Sequence, residues 1–134
     1  MWVELDLQSD VPIYEQLAGQ LMEGMASGRL QPGDALPSVR SLASDLGINL
    51  HTVNKAYQTL RQEGFLQIHR KQGVVVQTQG MPGVTDSFVA KLRRQLRAVA
   101  AEAAVRGMDE RRFAEECREV FRAVRGSERS GMEE

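Results

Sequence analysis

Asn49, His51, Thr52, Asn54 and Lys55 fall within a single stretch of seven residues, and none of them belongs to a pattern that makes or breaks covalent bonds. Such a set is suited to reading a polar surface. A carboxamide such as that of Asn54 pairs with an adenine edge, an imidazole such as His51 donates to a purine acceptor or a phosphate, and a hydroxyl such as Thr52 suits a phosphate near a helix N-terminus. Arg40, nine residues upstream of Asn49, adds a forked guanidinium able to reach a phosphate or a guanine edge. Arg70, Lys71 and Gly73 add a basic tip at which the backbone can approach closely, suited to a minor groove. Ser38 and Asn49 have a second use, since both residue types cap helices.

Other chemistries are poorly supplied. The chain has no G-x-S-x-G, no P-loop and no H-E-x-x-H, so no catalytic residue is assigned. With His51 and His69 as its two histidines and Cys117 as its one cysteine, it offers neither a metal-ligand cluster nor an internal disulfide, and no cofactor is expected. At 134 residues, 42% apolar and 26% charged, it fits one or two small domains with a core. No apolar run approaches the roughly 18 residues of a membrane span, and the start MWVELDLQSD is acidic. A cytoplasmic protein without a membrane partner is the expectation.

The formal net charge of -1 argues against a nucleic-acid partner, but its distribution matters more. Between Leu50 and Gly73, Lys55, Arg61, Arg70 and Lys71 stand against Glu63 alone. That strip is locally basic. A mixed, solvated face is the plain alternative, so position within a motif has to decide.

The elements that would place these residues follow from periodicity. Val3, Leu5 and Leu7 alternate with Glu4 and Asp6, which predicts a short strand over Trp2 to Leu7. Asp10 and Pro12 suit a cap and first turn; Ile13, Leu17, Leu21 and Met25 then step by four along a helix of about Ile13 to Ser27, ended by Gly28. Pro32, Gly33 and Pro37 make a rigid loop. Ser38 caps a helix from Val39 to Leu46, Gly47 turns the chain, and Asn49 caps a third helix with Val53, Ala56, Tyr57 and Leu60 facing inward. Two short strands around Arg70 to Gly73 predict a hairpin. Beyond a linker over 78–85, Asp86 can cap a helix with Phe88, Leu92, Leu96, Val99 and Ala103 on one stripe, and Asp109 can start another with Phe113, Cys117, Val120, Phe121 and Val124 in line. The polar end, 126–134, is expected to be disordered.

Ala43, Gly47 and Val53 sharpen the joint into a helix-turn-helix: a small residue at the crossing, a turn without a Cβ penalty, and a β-branched side chain in the angle. The run Pro12-Ile13-Tyr14-Glu15-Gln16-Leu17, then Gly28-x-Leu30-x-Pro32-Gly33-Asp34-x-Leu36-Pro37-Ser38-x-Arg40-x-Leu42-Ala43, then Gly47-x-Asn49-x-x-Thr52-Val53-x-x-Ala56-Tyr57-x-x-Leu60-x-x-Glu63-Gly64 resembles the winged helix of the GntR-type transcription regulators. The two helices after the linker are similar to the short YtrA-like branch of that family. The resemblance implies an α+β, mainly α fold: a winged helix-turn-helix over 1–77, and a helical dimerisation segment over 86–125. It implies a homodimer on a double-stranded DNA operator, with Arg40, Asn49, Thr52, Asn54 and the wing around Arg70 to Gly73 at the DNA. Control of genes that often encode transporters is a further implication. A departure lies at Leu50-His51, where the short branch often has Pro-Asn.

A palindromic operator and repression are the expected function. Two other readings stand beside it. The winged helix could serve as a protein-interaction module without sequence-specific DNA binding. A small-molecule effector could sit in a cavity between the C-terminal helices, with Cys117 as a redox sensor there or, by its place on the apolar stripe, simply a small core residue.

Overall fold

The structure, a computed structural model, describes residues 2–126. In chain order the elements are α1 (Ile13–Ala26), α2 (Val39–Leu46), α3 (Leu50–Gln62), β1 (Leu66–His69), β2 (Gly73–Val76), α4 (Asp86–Val105) and α5 (Glu110–Arg125). The chain divides into two compact units between Pro82 and Gly83. No helix among the described residues is long and apolar enough to cross a membrane.

In the first unit, the inward faces of three helices meet over one core. Leu17 and Leu21 from α1, Leu42 from α2, Val53, Ala56, Tyr57 and Leu60 from α3, and Leu66 and Val76 from the hairpin are all buried together. Each Leu or Val so enclosed contributes roughly 1.5–3 kcal/mol relative to exposure. The α2–α3 joint is made locally. Gly47 sits at φ 67°, and the Ile48 N–H donates to the Ala43 carbonyl at 3.0 Å, which closes the end of α2 as a left-handed C-cap does.

β1 and β2 pair antiparallel in the register Leu66–Val76 to His69–Gly73. The loop before α2 is more than rigid, because it joins them: Ala35 bridges Val75, the Leu36 N–H donates to the Val74 carbonyl at 2.9 Å, and the Val76 N–H donates to the Asp34 carbonyl at 2.9 Å. β2 is therefore paired on both edges, which stiffens the hairpin.

Three expectations about strands and caps need correction. Trp2 to Leu7 forms no strand. Its backbone finds side chains instead of a sheet edge: the Glu4 N–H donates to the Gln20 amide oxygen at 2.9 Å, the Asp6 N–H to that of Gln16 at 2.8 Å, and both amides donate back to the Glu4 and Asp6 carbonyls. Val3 is buried but Leu7 is 72% exposed, so the alternation ends early. Asp10 caps nothing; Pro12 occupies the N-cap of α1 without a side-chain bond. Thr85, not Asp86, caps α4, accepting from the Phe88 N–H at 3.0 Å.

In the second unit, neither α4 nor α5 buries a residue. Cys117, expected on a buried stripe, is exposed, because the stripe itself has no cover within the described chain. Gly126 is the left-handed C-cap of α5; the disorder expected over 126–134 falls, from 127 onward, outside the described residues.

Candidate nucleic-acid interface

α3 is held by its apolar side. Val53, Ala56, Tyr57 and Leu60 are buried, and the Tyr57 hydroxyl donates to the Pro37 carbonyl at 2.8 Å, fastening the middle of α3 to the loop that leads into α2. Burial pushes the Tyr57 phenol well above its ordinary value of 10.0, since the phenolate would lose its hydration there. The opposite side of α3 is open. His51, Asn54, Lys55, Gln58, Arg61 and Gln62 are exposed, and Thr52 is half-buried.

Both predicted caps are made. The Ser38 Oγ accepts from the Ser41 N–H at 3.0 Å, and the Asn49 Oδ1 accepts from the His51 N–H at 2.7 Å. Each satisfies a backbone donor that the first turn of a helix leaves without a partner. Asn49 keeps its amide NH₂ for other partners, since one oxygen suffices for the cap.

Arg40 is exposed on α2, and among the described residues it forms no ion pair with Asp45 or Asp34. Asp34 instead accepts from the Gln31 N–H at 2.8 Å, within its own loop. Lys55 is less free than its place on the outer face suggests. Its ammonium lies 4.0 Å from the centre of the Tyr14 ring, a cation–π arrangement that steadies the charge at the edge where α1 meets α3.

At the hairpin, Arg70 and Lys71 are exposed at the tip and Gly73 takes φ 78°. The tip is shaped by His69, whose Nδ1 accepts from the backbone N–H groups of Lys71 at 3.2 Å and Gln72 at 3.3 Å. This role of His69 is invisible in sequence, because a side chain folding back onto the next turn leaves no periodic trace. Tyr14 as the neighbour of Lys55 is equally hidden; its aromatic character is visible, its partner is not.

Six of the ten predicted residues thus lie on α3 or its cap or on the cap of α2, three on the wing, and Arg40 on the exposed side of α2. Together they offer hydrogen-bond donors, acceptors and cations on accessible surfaces, with no nucleophile beside a base.

The family model for bacterial regulatory proteins of the gntR family matches residues 13–76. The HTH-type transcriptional repressor YtrA of Bacillus subtilis is 30% identical over 128 residues, covering 96% of this chain and 98% of that protein. Among solved structures, YtrA from Sulfolobus acidocaldarius, a GntR-family transcription factor, is 43% identical over 77% of this chain and 97% of its own, with a TM-score of 0.57. A transcriptional antiterminator from Listeria monocytogenes EGD-e, 26% identical, covers 92% of both chains with a TM-score of 0.84.

Proposed function

The chain belongs to the gntR family of bacterial regulatory proteins and is a DNA-binding transcription regulator, and from that footing we propose that it represses transcription as a homodimer on a palindromic operator. α3 enters the major groove with its N-terminal turns deepest, and the Arg70–Gly73 tip reaches the adjoining minor groove. The two recognition helices of the dimer read half-sites about 34 Å, one helical turn, apart.

One observation carries this reading: the buried stripe of α3 is satisfied inside its own unit, while the polar edge from His51 to Gln62 has no cover. On this reading Asn54 pairs with a base, Arg40, Thr52, Lys55, Arg70 and Lys71 hold phosphates, and His51 serves either. Ser38, Asn49 and Gly73 act mainly on the backbone that presents them. Repression is supported by the name of the Bacillus relative, and a dimer by the uncovered stripes of α4 and α5.

The test is selection of bound fragments from the source genome, followed by titration on the enriched duplex. Asn54→Ala is expected to weaken specific binding by about 1–3 kcal/mol while leaving binding to mixed sequence nearly unchanged. Equal affinity of the variant and the parent chain for the selected duplex would overturn the assignment of Asn54 to a base.

A further inference from the structure

The winged unit is basic along one strip but acidic as a whole. Residues 1–82 hold six Lys and Arg against eight Asp and Glu. Of those six, Arg29 lies 5.0 Å from the centre of the Trp2 ring and Lys55 lies over Tyr14. The sequence-independent part of DNA affinity comes from phosphates neutralised by Lys and Arg, so a further cationic surface has a use.

The densest such surface is on α4. Lys91, Arg93, Arg94 and Arg97 fall within seven residues, and no Asp or Glu occurs between Asp86 and Glu102. At about 100° per residue these four side chains occupy one arc of about 160°, centred opposite the stripe of Phe88, Leu92, Leu96 and Val99. All four are exposed. None forms an ion pair among the described residues, whereas Arg106, Arg111 and Arg112 each pair with a Glu on their own helix. A second copy that covered the apolar stripe would leave this arc in solvent. Only the nine residues 77–85 separate β2 from α4, a reach of at most about 36 Å.

We propose that the Lys91–Arg97 face of α4 is a second DNA-binding surface, one that holds backbone phosphates flanking the operator without reading sequence. It rests on the DNA-binding reading above and adds to it a source of affinity outside the winged helix. The partner is a duplex rather than a second copy of this chain. On α5, Glu115 and Glu116 already pair with Arg111 and Arg112, which leaves Glu110 and Glu119 as the acidic residues a second copy could offer there.

The full chain carrying Lys91→Gln, Arg94→Gln and Arg97→Gln together is compared with the parent chain by titrating a mixed-sequence duplex over a range of salt. Helical content by circular dichroism and mass by sedimentation are measured beside it. The expected result is unchanged helicity and mass, with the slope of log K against log salt flattened by about 0.9 for each phosphate that the variant no longer neutralises, roughly 2 to 3 per chain. An unchanged slope overturns the proposal, and so does a lower mass, which would assign the arc to chain–chain association. Asn54→Ala is run in parallel. If it abolishes sequence preference while the triple variant keeps the parent slope, only the α4 surface falls; if the parent chain binds no duplex, both readings fall.

Discussion

Gly24 decides how the start of the chain is held. A Cβ added there would come within 2.6 Å of the Trp2 ring and 3.2 Å of a Leu30 methyl, so the benzo part of the indole lies against bare helix backbone. The Arg29 guanidinium stands 5.0 Å from the centre of the same ring. Gly24→Ala gains about 1 kcal/mol of helix propensity, but a 2.6 Å approach cannot stand, and the ring is the part able to move. The expected outcome is a displaced Trp2, read as a red-shifted and more quenchable emission from the chain's single tryptophan, with little net change in stability. Emission identical to the parent chain's would mean that the indole does not rest on Gly24. This packing was not legible in sequence, because it joins positions far apart along the chain through the absence of a side chain. His51, Asn54 and Lys55 were legible as an outward edge, since their places follow from helical spacing alone; the Tyr14 ring under Lys55 was not.

Among the elements, α3 is fastened by a hydrogen bond from Tyr57 as well as by its apolar residues. Tyr57→Phe keeps the buried ring but leaves the Pro37 carbonyl without its donor, and is expected to cost about 1 kcal/mol in a denaturant titration. A pH effect accompanies it. The phenol is raised by burial above its ordinary 10.0, so its contribution is complete below about pH 10 and is lost as pH rises from there toward the folded-state value. The parent chain should therefore lose stability above about pH 10 more steeply than Tyr57→Phe, and parallel alkaline profiles would refute that link. The α2–α3 pair was readable in advance because its determinants are local: Ser38, Gly47 and Asn49 act within a few residues of themselves. Trp2 to Leu7 failed as a strand for the opposite reason. Alternation shows which side chains turn inward, yet a strand also needs a neighbouring edge, and Gln16 and Gln20 took that role. The pairing of Ala35 with Val75 depends in the same way on where a distant segment lies.

At the scale of the whole molecule, the two units obey different rules of burial. The first encloses its apolar residues; the second leaves Leu96 40% and Phe121 64% exposed, with no residue of either helix buried. Contiguous apolar stripes of that kind mark association sites, and a self-complementary pairing with a second copy is the commonest way to cover them. Leu96→Asp places a carboxylate in the middle of the α4 stripe, where burial without a partner is costly. The variant is expected to sediment as a monomer and to bind the operator roughly 10²- to 10⁴-fold more weakly, because the second half-site is no longer bound within the same particle. Val105→Asp is the control. Val105 is 88% exposed and projects from the other side of α4, so it should leave the mass as it is. A Leu96→Asp chain that keeps the parent mass would refute a dimer built on this stripe, and equal losses in both variants would point to general damage to α4 instead of a broken seam.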